Sequence, residues 1–83
     1  MTDTRTFHLR IASVGESWYE GEAQSAVFPG TAGEFTLLAH HEPLVSTLKS
    51  GTIRIRDDRG VAHSVNIHTG IVEVSGNQAI VLI

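Results

Sequence analysis

Thr52-Ile53-Arg54-Ile55-Arg56-Asp57-Asp58-Arg59-Gly60-Val61-Ala62-His63-Ser64-Val65-Asn66-Ile67 decides the fold class. Ile53 and Ile55 alternate with Thr52, Arg54 and Arg56. Val61, His63, Val65 and Ile67 alternate with Ala62, Ser64 and Asn66. A period of two sends alternate side chains to opposite faces of a sheet. Between the two runs, Asp57-Asp58-Arg59-Gly60 supplies the residue types of a hairpin loop. The stretch predicts two antiparallel strands with one apolar and one polar face.

The same pattern repeats on both sides. Phe7, Leu9 and Ile11 alternate with His8, Arg10 and Ala12. Val14-Gly15-Glu16-Ser17 separates that strand from Trp18-Tyr19-Glu20, and Ser75-Gly76-Asn77 separates Ile71-Val72-Glu73-Val74 from Ala79-Ile80-Val81-Leu82. Pro29-Gly30-Thr31-Ala32-Gly33 reads as a loop, since glycine supplies positive φ and proline removes a ladder donor. The one candidate helix is His40 to Lys49, with Leu44 and Leu48 four apart. Pro43, Val45 and Thr47 oppose it, which predicts a loop with at most a short turn and then a strand. About eight to ten short strands with frequent turns mean a sandwich or a barrel. No repeat or linker divides the chain, so residues 1–83 are expected to form one all-β domain, with 1–5 flexible and a last strand running to Ile83.

Bulk properties exclude several classes. The chain has 83 residues, no cysteine and a formal net charge of −3. A domain of this size has a modest stability margin, part of which a partner could supply. No disulfide framework or thiolate metal site is possible. The six basic residues are spread along the chain, whereas a nucleic-acid groove needs them clustered. No apolar run approaches the roughly 18 to 20 residues that span a bilayer, and Met1 to Arg10 lacks an apolar signal core. The expectation is a soluble chain with no direct membrane insertion.

Candidate chemistry is thin. Zinc demands three or four converging ligands. His40 and His41 are adjacent, and His63 and His68 are five apart, so on extended strands each pair splits across a sheet. No metal site is expected. Asp57 and Asp58 sit in a turn, where adjacent acids serve turn geometry and solubility. No Gly-x-Ser-x-Gly elbow is present, and Gly30 and Gly33 lack the lysine and helix of a phosphate loop. Trp18 and Tyr19 are expected to be partly buried packing residues. Catalytic, cofactor-binding and metal residues are therefore all expected to be none. On residues alone the chain is a small all-β domain, and a free-standing β-sandwich binding module for a peptide or small ligand remains open.

The order of glycines and prolines carries further. Phe28-Pro29-Gly30-Thr31-Ala32-Gly33-Glu34-Phe35-Thr36-Leu37-Leu38 is followed by Ala39-His40-His41-Glu42-Pro43-Leu44, then by Leu48-Lys49-Ser50-Gly51-Thr52-Ile53. Thr69-Gly70-Ile71-Val72-Glu73-Val74 and Val81-Leu82 complete the set, with Phe7 to Ile11 and Glu20-Gly21-Glu22-Ala23 at the front. In joint order and spacing, from about Thr6 to Ile83, this resembles the epsilon subunit of F-type ATP synthases. The departures are Ala39-His40, where the family often has Pro-Gly, Thr69 in place of the first of two glycines, and no C-terminal pair of helices.

That resemblance implies a flattened sandwich of two antiparallel sheets at the foot of the central stalk. It implies a non-catalytic rotor subunit that couples c-ring rotation, driven by proton flow, to gamma and through gamma to the α/β catalytic hexamer. The implied location is peripheral, on the cytoplasmic face of the bacterial inner membrane. Glu34 matches a family acid near the c-ring polar loops, which often present Arg. His41 matches a family histidine near gamma, and Leu37, Leu38, Pro43 and Leu44 would surround it as an apolar patch. Inhibition and ATP binding, which the family places on the C-terminal helices, do not carry over, so the chain is expected not to bind ATP.

Overall fold

The computed structural model describes residues 5–83, so most of the stretch expected to be flexible lies outside the described residues. Eight strands follow one another: β1 (Phe7–Ser13), β2 (Glu16–Gly30), β3 (Gly33–Leu38), β4 (Leu44–Leu48), β5 (Gly51–Asp57), β6 (Ala62–Ile67), β7 (Gly70–Ser75) and β8 (Gln78–Leu82). No helix occurs among the described residues, and the segment from His40 to Lys49 is a turn leading into β4.

β2 is the spine of the molecule. Its first half pairs with β1, and its second half lies between β3 and β5. From β1 the sheet continues through β8 and β7 to β4, which returns to β2 at the Gly30–Leu48 pair. On the other side β5 carries β6. The long strand therefore belongs to both layers of a flattened sandwich. All pairings are antiparallel except β1 with β8, which is parallel. The strand that begins before Trp18-Tyr19-Glu20 runs on through Gly21 to Gly30, 15 residues in all.

Two bulges let β2 serve both layers. Ile11 faces Tyr19 and Ala12 faces Ser17, which leaves Trp18 as an extra residue. Ala23 faces Asp57 and Ser25 faces Arg56, which leaves Gln24 as another. A bulge reverses the inside–outside alternation. Accordingly Ala23 is buried before the second bulge, and Ala26, Phe28 and Gly30 are buried after it.

The turns follow local chemistry. Gly76 and Asn77 have φ of 57° and 59° between the paired Ser75 and Gln78. Two left-handed residues in a two-residue loop are the turn that matches strand twist. At the β2–β3 hairpin, a Cβ on Gly30 would lie 2.6 Å from the Gly33 carbonyl, so only glycine fits.

Inward-facing side chains from both layers form one core. It is built from Phe7, Leu9, Ile11, Phe28, Leu37, Leu48, Ile53, Ile55, Val72 and Val81, with smaller residues between them. Phe28 stacks on Phe35 with ring centroids 5.3 Å apart. Among the described residues no buried side-chain nitrogen or oxygen lacks a hydrogen-bond partner.

Candidate functional site

The surface, rather than a cleft, carries the candidate sites. Glu34 stands at the start of β3 opposite Pro29, beside the Gly30–Gly33 tip. Its carboxylate is exposed, and Arg54 Nη2 on β5 donates to Glu34 Oε1 at 3.1 Å. The acid predicted to meet a partner's arginine is thus paired within its own chain. Exposed pairs of this kind contribute little to stability and exchange readily.

The loop between β3 and β4 holds the second predicted group. His40 adopts the left-handed region at φ 62°, so His40 and His41 are in a turn and not on an extended chain. The expected splitting of these two across a sheet face does not apply. The backbone N–H of His40 donates to Asn77 Oδ1 at 2.7 Å. His41 is exposed, with Nδ1 2.8 Å from the Glu42 carbonyl oxygen. Leu38 and Pro43 are exposed, and Leu44 packs partly against the core. Leu37 is only 1% exposed: β3 alternation turns it inward, so it drops out of the expected patch and belongs to the core.

A larger apolar surface lies on the outer face of β4, β7 and β8. Val45, Ile71, Ile80 and Leu82 are 64%, 41%, 40% and 56% exposed. The register sets them in two rows. Val45, Glu73, Ile80 and Arg10 form one row, and Thr47, Ile71, Leu82 and Ala12 form the other. Sequence reading passed over this face, although a signal was present. Ile71-Val72 and Ala79-Ile80-Val81-Leu82 are apolar at consecutive positions, which means both faces of those strands are apolar. Beyond Arg10, β1 and β2 carry charge: His8 Nε2 is 3.4 Å from Glu20 Oε2, and His8 Nδ1 is 3.2 Å from Glu22 Oε2.

The β5–β6 hairpin forms a polar clip. Asp57 Oδ1 accepts from the backbone N–H of Arg59 and of Val61, both at 2.9 Å, and Oδ2 lies 2.8 Å from His63 Nε2. The His63 bond, then the Val61 amide, hold the Asp57 carboxyl below its ordinary range. Tyr19 meets the His63 ring edge-on at 5.3 Å. Desolvation, then Asp57, Asp58 and Glu22, push its hydroxyl up. Trp18, the extra residue of the first bulge, is half exposed, and Tyr19 packs partly against the core. Trp18 Nε1 donates to Ser13 Oγ at 2.9 Å. Among the described residues no three metal-ligating side chains converge, and no helix is long and apolar enough to cross a membrane.

Comparison with known proteins resolves the lineage. The family model for the ATP synthase delta/epsilon chain beta-sandwich domain matches residues 6–83. The chain belongs to this family. An ATP synthase epsilon chain of Thioalkalivibrio sulfidiphilus is 40% identical over 78 residues, covering 93% of this chain and 55% of the relative. One of Chlorobium limicola is 37% identical over 78 residues, covering 94% of this chain and 89% of the relative. The chain thus spans about half the length of several relatives and most of a shorter one. In solved structures, the fold is similar to a chain of the Euglena gracilis mitochondrial ATP synthase, with a TM-score of 0.86, 18% identity, and 99% of this chain and 52% of that one covered. A chain of the Tetrahymena thermophila mitochondrial ATP synthase central stalk and c-ring gives a TM-score of 0.75 at 12% identity, with 98% and 65% covered. These likenesses establish an epsilon-type β-sandwich.

Proposed function

We propose that the chain is the β-sandwich of a central-stalk epsilon subunit, a rotor part without an active site of its own. In this reading it couples c-ring rotation, driven by proton flow, to gamma and so to ATP synthesis in the α/β hexamer. It sits peripherally on the cytoplasmic face of the bacterial inner membrane. The observation that carries the proposal is the exposed apolar face of β4, β7 and β8, bordered by charge, on a domain of this family. A patch of this kind, rimmed by polar groups, marks a protein contact.

Gamma is assigned to that face, together with the loop bearing Leu38, His41, Pro43 and Leu44. β4 links the two, because Val45 follows Leu44 directly. The c-ring polar loops are assigned to the Glu34 tip, where a partner's arginine would exchange with Arg54 for the carboxylate. A close-packed core beneath both contacts suits torque transmission, because a stiff interior passes strain on.

The test is a mixture of the chain with the gamma subunit. Size exclusion should give a one-to-one complex that goes on to bind the α/β hexamer. A chain that elutes alone beside gamma at tens of micromolar would remove the proposal.

A further inference from the structure

Asn77 makes more bonds than its turn requires. It is the second residue of the two-residue loop between β7 and β8, where its φ of 59° shapes the turn and glycine would serve as well. Yet both ends of its side-chain amide leave the hairpin. Oδ1 accepts from the backbone N–H of His40 at 2.7 Å, 37 residues away. Nδ2 donates to the Thr6 carbonyl at 2.9 Å, 71 residues away. The Asn77 carbonyl also accepts from the His8 N–H at 3.3 Å. The amide orientation is set by its partners: reversed, an NH₂ would face an N–H and an oxygen would face a carbonyl.

The His40 partner is the informative one. His40 is the other non-glycine residue with positive φ among those described, at 62°. That conformation is unfavourable for a residue with a Cβ and persists only where surrounding structure holds it. Asn77 grips the amide of that same residue, next to His41 and at the mouth of the β3–β4 loop. The grip ties the loop to the start of β1 and to the end of the apolar sheet face. We propose that Asn77 is the positioning residue for the His40–His41 loop and, through it, for the docking of gamma. The second half rests on the function proposed above.

Three variants separate the possibilities. Asn77→Gly keeps the turn conformation and removes both outward bonds. Asn77→Asp keeps the acceptor for His40 and tolerates positive φ, but presents no donor to Thr6. His41→Ala removes the side chain to be positioned. Amide hydrogen exchange reads the His40 N–H, and titration calorimetry reads gamma affinity.

In Asn77→Gly, His40 exchange should accelerate by about tenfold and gamma binding should weaken by about three- to tenfold, on the scale of one or two lost hydrogen bonds. Asn77→Asp, whose second oxygen faces the Thr6 carbonyl, should restore part of the His40 protection and part of the affinity. His41→Ala should cost less in the Asn77→Gly background than alone, because the two act as one unit. Unchanged His40 exchange in Asn77→Gly would overturn the positioning role outright. Faster exchange with unchanged gamma affinity would overturn the docking half. Failure of the wild-type chain to bind gamma would instead sink the functional reading, while His40 exchange still decides whether Asn77 holds the loop.

Discussion

At the scale of single residues, the polar side chains act mainly as clips between neighbouring segments. Asp57 is the clearest case, since one carboxylate closes the β5–β6 turn through two backbone amides and reaches His63 on the next strand. All three partners favour the ionised form, so the folded carboxyl titrates below its ordinary value of 3.8. A depressed folded value means the stabilisation is present above that ordinary value. It is lost as the pH falls through the lower folded value. Urea unfolding between about pH 6 and pH 2 should therefore give a steeper acid loss for the wild type than for Asp57→Asn. The asparagine keeps an acceptor for the turn amides and forgoes the charge, so it should start less stable at pH 6 and lose less on acidification. Parallel curves would remove Asp57 from the account of acid sensitivity. Glu34 has the opposite character: its pair with Arg54 is exposed and single, which leaves it available to another arginine.

At the scale of elements, β2 explains most of the architecture, and it was the element hardest to foresee. The β5–β6 ribbon was legible because its alternation is unbroken and its turn residues are diagnostic. So were β1, the β7–β8 hairpin and the strand after Pro43. In β2 the alternation is broken twice, at Trp18 and at Gln24, so no single period of two runs along it. The bulges preserve pairing while reversing the faces, which a period-two reading cannot follow. The parallel β1–β8 pair was also hidden, because the residues of one strand do not specify the direction of its neighbour. The candidate site divides in the same way. Glu34 and His41 came from resemblance, and the structure puts both on the surface. Leu37 failed because adjacent leucines on a strand cannot share a face, and the β7–β8 face was missed because period-two reading kept only one face of each strand. The end of β2 offers a test of how tightly the sandwich is closed. A methyl group at Gly30 would collide with the Gly33 carbonyl and crowd the Phe35 ring at 3.0 Å. Gly30→Ala should cost about 1–3 kcal/mol in chemical denaturation, the usual scale of overpacking. A cost below about 0.5 kcal/mol would show that the β2–β3 tip moves aside freely and is no rigid support for Glu34.

At the scale of the whole molecule, a stiff interior and a sticky exterior are separate properties, and the proposed coupling role needs both. The core holds the two layers at fixed spacing through side chains such as Phe28, which is fully buried. Shortening it to alanine should cost about 3–5 kcal/mol, a large share of the margin of a domain this small. The outer face of β4, β7 and β8 contributes differently. Ile80 is 40% exposed between Glu73 and Arg10, with Leu82 and Val45 nearby, and supports no interior contact of comparable weight. Ile80→Glu should therefore leave unfolding within about 0.5 kcal/mol of wild type, as surface changes do. In the proposed complex the same change would bury a carboxylate in an apolar contact, where taking a charge out of water is costly. Gamma affinity should fall by about thirtyfold or more, the scale of a central interface residue. The two measurements must be made on one preparation, because a loss of binding that tracks a loss of stability says nothing about the surface. Full stability with full gamma affinity would mean that gamma grips another side of the sandwich. The exposed isoleucines and leucines would then need a different partner.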